Sequence, residues 1–359
     1  ILARYLAPML YRSGVLTNAE FLELRFTQSM RVASAVIQVL YRFIAMALVG
    51  YALATMFNVV MGVEMTYGIL ISMCITIIYV FASGQLGVVM AAIPQVGLML
   101  LVSGIIFYSV FADIGGITGF KEHLPEYGDM LQLTYYTEDG LNNSLYLVGL
   151  ILVLFTYPLV NQTVAQRIVS AASESDARKG SMISLVPWFI VTGVAIMAGV
   201  IGTVLVPDLP ADARNDLYPL YMIKYLDEGI LGLGVAALVV GSMSTGAGIG
   251  TAISGLMTND VFKIMGNDNY SPAQKLMWTR IFSTAAIVLG SILSSQVSNF
   301  GGMVPFYVTF SGTFVLPLTV PYLAAAFFPK ASRHSALASL VGGCVLGLIL
   351  FNADDLLPI

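Results

Sequence analysis

Charge is scarce in this sequence. Of 359 residues only 10% are Asp, Glu, Lys or Arg, while 58% are hydrophobic, and the mean hydropathy is +0.86. Soluble domains carry about 25% charged residues, so a water-soluble globular enzyme is excluded. A chain this apolar does not stay disordered either. Cysteine is limited to Cys74 and Cys344, far apart in apolar runs, which suggests neither a disulfide framework nor a metal cluster. With 16 Lys and Arg against 20 Asp and Glu, there is no basic surface for nucleic acid. No HExxH motif and no paired Asp occurs within an apolar run, which argues against an intramembrane protease. The opening ILARYLAPMLYRSG has no basic n-region and no small-residue cleavage site, so it is not a signal peptide. It reads as the tail of a helix, and the chain as a fragment.

What the sequence has in abundance is long apolar runs. A bilayer core about 30 Å thick requires roughly 20 apolar residues per helix. Nine such runs are predicted, at 33–62, 67–84, 86–112, 144–165, 183–206, 230–256, 279–296, 303–328 and 335–352. If they alternate in direction, eleven Lys and Arg fall on one side and three, Lys121, Arg214 and Lys224, on the other. The excess marks the cytoplasmic side. Residues 10–32 are therefore expected inside, and the acidic loops 113–143 and 207–229 outside.

Within the runs the one charged side chain well inside is Arg42, with Asp113 at the outer end of its helix. The lack of intramembrane acids argues against a proton relay. Two readings of Arg42 stand: it snorkels to the headgroups, or it pairs internally at a gate. Three runs carry polar residues or helix breakers. In 144–165, Pro158 lies beside Tyr157, Asn161 and Gln162; proline frees a carbonyl, and a break there faces a cavity or is a packing kink. In 230–256, Gly241, Ser244, Thr245 and Gly248 share one helix face. Two hydroxyls and a carbonyl make half an oxygen shell for a hard cation, but on these residues alone small-residue packing with back-bonded hydroxyls is preferred. In 303–328, Pro305, Gly312, Pro317 and Pro321 interrupt a helix bearing Tyr307, Thr309, Ser311 and Thr313, which lines a solute path or is merely kinked.

Three ordered segments resemble the sodium:solute symporter family, which includes bacterial sodium/proline, sodium/galactose and sodium/sialic acid transporters. TNAEFLELRF, Thr17 to Phe26, is similar to the segment after the second core helix. Gln166-Arg167 with SAASESDARKG resembles the following basic loop, and Asp216 to Lys263, with its Met-Ser-Thr centre and its end at Asp260, Val261, Phe262 and Lys263, resembles the eighth core helix.

The resemblance implies an all-α polytopic membrane protein of the five-plus-five inverted-repeat (LeuT-like) fold, incomplete, with about nine spans. Residues 1–112 would hold the end of core helix two to core helix five, 113–143 an extracellular loop, 144–328 core helices six to ten, and 329–359 an additional helix. It implies a sodium-coupled symporter of a small organic solute in the plasma (bacterial inner) membrane, with no cofactor beyond the coupling sodium. A membrane sensing domain of a signalling protein is the alternative. It reverses the preference at Ser244 and Thr245, which match the family's two sodium-binding hydroxyls, with Gly241 giving a carbonyl. Tyr157 matches an inner gate tyrosine, and Asn161 and Gln162 the end of that helix. Leu154, Trp188 and Thr309 stand where sugar carriers place polar ligands, which weighs against a sugar. Ala92 replaces a family acid, and Gly246-Ala247-Gly248 a more polar triplet.

Overall fold

A computed structural model describes residues 2–127, 160–262 and 271–351, together with Val148, Ile151 and Tyr157. All regular elements among them are helical. Seven helical stretches are long and apolar enough to cross a membrane: Gln28–Met61, Gly87–Asp113, Glu174–Leu205, Glu228–Phe262, Pro272–Ser294, Met303–Phe327 and Arg333–Leu350, with Met65–Phe81 shorter. These eight match eight of the nine predicted runs. The ninth, 144–165, lies largely outside the described residues.

In chain order we label α1 Ala7–Ser13, α2 Asn18–Arg25, α3 Gln28–Met61, α4 Met65–Asp113, α5 Gly116–Tyr127, α6 Gln162–Val169, α7 Glu174–Ile183, α8 Leu185–Leu205, α9 Leu217–Tyr225, α10 Glu228–Leu256, α11 Pro272–Ser294, α12 Met303–Phe327 and α13 Arg333–Phe351. Local chemistry sets the boundaries. The Thr17 and Thr27 hydroxyls accept from Glu20 N and Met30 N at the starts of α2 and α3, satisfying donors that a helix leaves orphaned. Gly62, at φ +68°, ends α3 in the left-handed conformation that glycine adopts without strain. Ser271 and Gln274 form a reciprocal capping box at α11.

Two predicted runs share α4. A Cβ on Gly246 would meet Thr76, and one on Gly241 would meet Gln95. These α4 residues are nineteen apart, roughly 28 Å of straight helix, yet their partners on α10 are only five apart. The element therefore doubles back on itself. Its first limb runs parallel to α10 and its second antiparallel, as two alternating spans require.

The outer stretches differ from expectation. Residues 113–143 and 207–229 read as loops because they are acidic, but they contain α5 and α9. In α9, Pro219, Tyr221 and Met222 are buried, and the Tyr221 hydroxyl donates to Ala198 O at 3.1 Å. A short apolar face is enough to fold the stretch against α8.

Candidate functional site

The hydroxyl-bearing turn of α10 lies between α4 and α6. A Cβ on Gly241 would sit 3.4 Å from Gln95 Nε2 and Met99 Sδ, and one on Gly248 would sit 3.2 Å from Thr163 Cγ2. Thr245 Oγ1 donates to Gly241 O at 2.9 Å, so the back-bonded reading is realised. That bond uses the hydroxyl proton and leaves the oxygen's lone pairs on an exposed side chain. Ser244 is buried, and its hydroxyl has no partner among the described residues. The Gly241 carbonyl and the two hydroxyls thus gather three oxygens on one turn. Neighbouring glycines serve packing: Gly246 abuts Thr76, and Ser283 Oγ donates to Gly250 O at 3.1 Å. The packing contacts and the oxygen-bearing turn thus occur on one helix. Where the family acid is missing, α4 brings the Gln95 amide near this turn, and its Oε1 is buried without a partner. No group of three or more His, Cys, Asp or Glu able to hold a metal occurs among the described residues.

The two amides expected at the substrate cavity or gate, Asn161 and Gln162, both make local structural bonds. Asn161 has extended backbone (φ −90°, ψ 100°) and caps α6, accepting from Thr163 N and Val164 N. Asn161 separates Val160 from α6, and Pro158, where a break is expected, lies outside the described residues. Gln162 accepts from Asn18 N at 2.8 Å and donates to Leu16 O at 3.3 Å, tying the α1–α2 linker to α6. Tyr157 packs with Tyr307 against a cluster that includes Tyr41 and Tyr322. Thr309 is half-buried on α12, and its carbonyl accepts from Thr313 Oγ1 at 3.0 Å. Trp188 is 56% exposed on an apolar surface with Leu185, Val186 and Phe189, so the structure does not bring it together with Tyr157. Leu154 lies outside the described residues.

Arg42 does not snorkel. It is 2% exposed and donates from Nη2 to Asn161 Oδ1, which settles the open alternative in favour of an internal pairing. It belongs to a polar stripe on α3, with Arg31, Ser34, Gln38 and Tyr41, all buried. Spacings of three and four put them on one helix face, a signal present in the sequence and overlooked there.

At the N-terminal end of the stripe, Arg31 Nε donates to Asp260 Oδ1 at 2.5 Å, Nη1 to Glu23 Oε2 at 2.5 Å and Nη2 to Asn259 O at 3.0 Å. Thr17 Oγ1 donates to Asp260 Oδ1 at 2.8 Å. Nearby, Glu174 bridges Arg12 and Arg178 at 2.7 and 2.8 Å.

The sequence model of the sodium:solute symporter family matches residues 1–343. The chain is 23% identical to the sodium/glucose cotransporter of Vibrio parahaemolyticus, covering 98% of this chain and 69% of that protein. It is 24% identical to the sodium/iodide cotransporter of Homo sapiens, covering 98% and 56%. To sodium/myo-inositol cotransporter 2 of Mus musculus it is 24% identical, covering 99% and 58%. It therefore spans little more than half the length of these mammalian relatives. A solved structure of a Na+-coupled sialic acid symporter in a substrate-bound outward-open state superposes with a TM-score of 0.75 at 16% identity, covering 97% of this chain and 80% of that one. The fold is the five-plus-five inverted-repeat transporter fold.

Proposed function

Because the chain belongs to the sodium:solute symporter family, we propose that it forms the membrane-embedded part of a transporter that couples inward sodium movement to uptake of a small organic solute by alternating access. The observation that carries this reading is the oxygen cluster of Gly241, Ser244 and Thr245 on a membrane-spanning helix. A desolvated cation at membrane depth needs oxygens in place of its hydration shell, and polar groups near the midplane are where such transporters hold their ions. On this reading Gly241 O, Ser244 Oγ and Thr245 Oγ1 take part of the sodium shell, and Tyr157 and Thr309 face the solute path.

The driving force is sufficient without covalent chemistry. At 100 mV one charge crossing the membrane carries about 2.3 kcal/mol, which supports roughly fifty-fold accumulation per sodium, since about 1.4 kcal/mol is tenfold. Release to the cytoplasm requires the Arg31–Asp260 and Gln162–Asn18 contacts to part. The reading places the protein in the plasma membrane, with residues 1–112 in the first repeat and 144–328 in the second.

The test is Ser244→Ala combined with Thr245→Ala in the full-length protein, assayed by solute uptake into proteoliposomes under a sodium gradient. The expected outcome is loss of sodium-stimulated uptake, with the melting temperature nearly unchanged because the Thr245 bond is one local contact worth about 1 kcal/mol. Uptake that keeps its sodium dependence in the double variant refutes the reading.

A further inference from the structure

We infer that a cavity lined by Arg4, Arg12 and Arg178 holds the phosphate of an anionic phospholipid, whose acyl chain lies along an exposed apolar face of α7 and α8. The site is apart from the sodium turn and stands whether or not the chain transports. The cavity measures about 480 Å³, within the range of sites that enclose small molecules. It lies where α1, with the π-helical turn Leu2–Leu6 before it, packs against α7. Tyr5, Met9 and Phe21 form its apolar walls.

Charge in this cavity is unbalanced. Glu174 accepts from Arg12 Nε and Nη2 at 2.7 and 3.0 Å and meets Arg178 Nη2 at 2.8 Å. One carboxylate thus draws two guanidiniums together while offsetting a single charge of three. Arg4 makes no ion pair among the described residues. Each guanidinium carries five N–H donors, so Arg12 Nη1 and most donors of Arg178 stay available beside Arg4. Planar donor edges with an excess of positive charge suit a phosphate, which arginine binds through two oxygens at once. A zwitterionic headgroup would bring its own ammonium into a space that is already cationic.

Two observations favour a lipid over a free phosphate. Arg178 heads a stripe in which Met182, Leu185 and Phe189 follow at spacings of four, three and four, all of them exposed. Ser184, between α7 and α8, keeps helical backbone (φ −61°, ψ −20°), so the four residues share one face. A chain esterified to a phosphate at Arg178 runs along that face. The second observation is the level of the cavity. Tyr5 meets Phe327 edge-on at 6.5 Å, and both rings, with Phe328 at the end of α12, are exposed; such aromatics mark the membrane–water interface. On the orientation expected from the Lys and Arg excess, this end faces the cytoplasm, where the leaflet is anionic and basic pockets between spans suit anionic headgroups.

The test is the melting temperature of the purified full-length protein in a neutral detergent. The probes are dioleoyl phosphatidylglycerol, dioleoyl phosphatidylcholine, inorganic phosphate and glycerol 3-phosphate, each at the same concentration. Phosphatidylglycerol raises the melting temperature by several degrees more than phosphatidylcholine, and the two soluble phosphates leave it unchanged. Arg4→Gln and Arg178→Gln each weaken the response to phosphatidylglycerol severalfold, and so does Met182→Gln combined with Leu185→Gln. Lys275→Gln, which removes a charge on α11 that does not line the cavity, keeps the full response. All these side chains are exposed, so the variants fold, and each is melted without lipid as its own reference. The inference is overturned if phosphatidylcholine shifts the melt as far, or if either soluble phosphate reproduces the shift. It is equally overturned if the Arg4 and Arg178 variants respond as Lys275→Gln does, or if the Met182 and Leu185 double variant responds as the parent does.

Discussion

Arg31 and Asp260, 229 residues apart in sequence, meet at 2.5 Å in a buried ion pair between the start of α3 and the π-helical turn that follows α10. Removing one partner of such a pair costs about 3–5 kcal/mol, because the other is left uncompensated. The two partners are not equivalent. Arg31 retains Glu23 at 2.5 Å when Asp260 is lost, whereas among the described residues Asp260 retains only the hydrogen bond from Thr17 when Arg31 is lost. We expect Arg31→Gln to lower the melting temperature more than Asp260→Asn, and the double variant to recover part of the loss. A double variant no more stable than Arg31→Gln would refute this account.

Gln162 provides a second, independent tie on the same side. Gln162→Leu removes the acceptor of the buried Asn18 amide and costs about 1–3 kcal/mol. Gln162→Glu keeps an acceptor for Asn18 N but buries a carboxylate against Leu16 O, so it costs at least as much. Hydrogen exchange read at the Asn18 amide is expected to accelerate in the leucine variant, while exchange in α3 stays unchanged. Uniform acceleration throughout the bundle would show that the contact is not a local latch.

Eight of the nine spans were legible because the bilayer imposes one length on apolar helices, and that length survives in local sequence. The α5 and α9 helices were not, since their apolar faces are short and set among charged residues. The Gly241, Ser244 and Thr245 turn was legible as one face, but its two readings turn out to be compatible rather than exclusive. The Arg31–Asp260 pair was out of reach, because each residue looks ordinary in its own segment and only the fold brings them together. Trp188 lies in the first turn of α8 and Thr309 in the second turn of α12, and sequence alone does not say which face of α8 meets lipid.

Close packing of α3 on α11 yields a volume test. A Cβ on Gly290 would lie 2.3 Å from Met46 Cγ and 2.5 Å from Met46 Cβ, and close approach of this kind drives helix association in lipid. Gly290→Val is expected to cost about 1–3 kcal/mol through overpacking. Gly104, within the second limb of α4, has nothing within 4 Å of a new Cβ. Gly104→Ala is therefore expected to leave stability unchanged or raise it by about 0.5–1 kcal/mol. Thermal melts of the two variants check this, and equal losses would contradict the packing.

Between α4 and α9, Lys224 Nζ meets Asp113 Oδ2 at 2.8 Å, with side-chain exposures of 54% and 42%, and Tyr225 donates to the same oxygen at 2.5 Å. The hydrogen bond to Asp113 holds the Lys224 ammonium above its usual range. A raised pKa contributes stability that is complete below the unfolded value, about 10.4, and is lost only as pH rises through the folded one. The contribution is thus constant between pH 6 and pH 9. As a solvent-screened pair it amounts to about 0.2–1 kcal/mol, against several for Arg31 and Asp260. Lys224→Met is expected to lower the melting temperature slightly and equally at pH 6 and pH 9, with the difference shrinking at 1 M salt, where the Debye length falls to about 3 Å. A loss that persists in high salt, or that matches Arg31→Gln, would mean that this pair is shielded from solvent as the Arg31–Asp260 pair is.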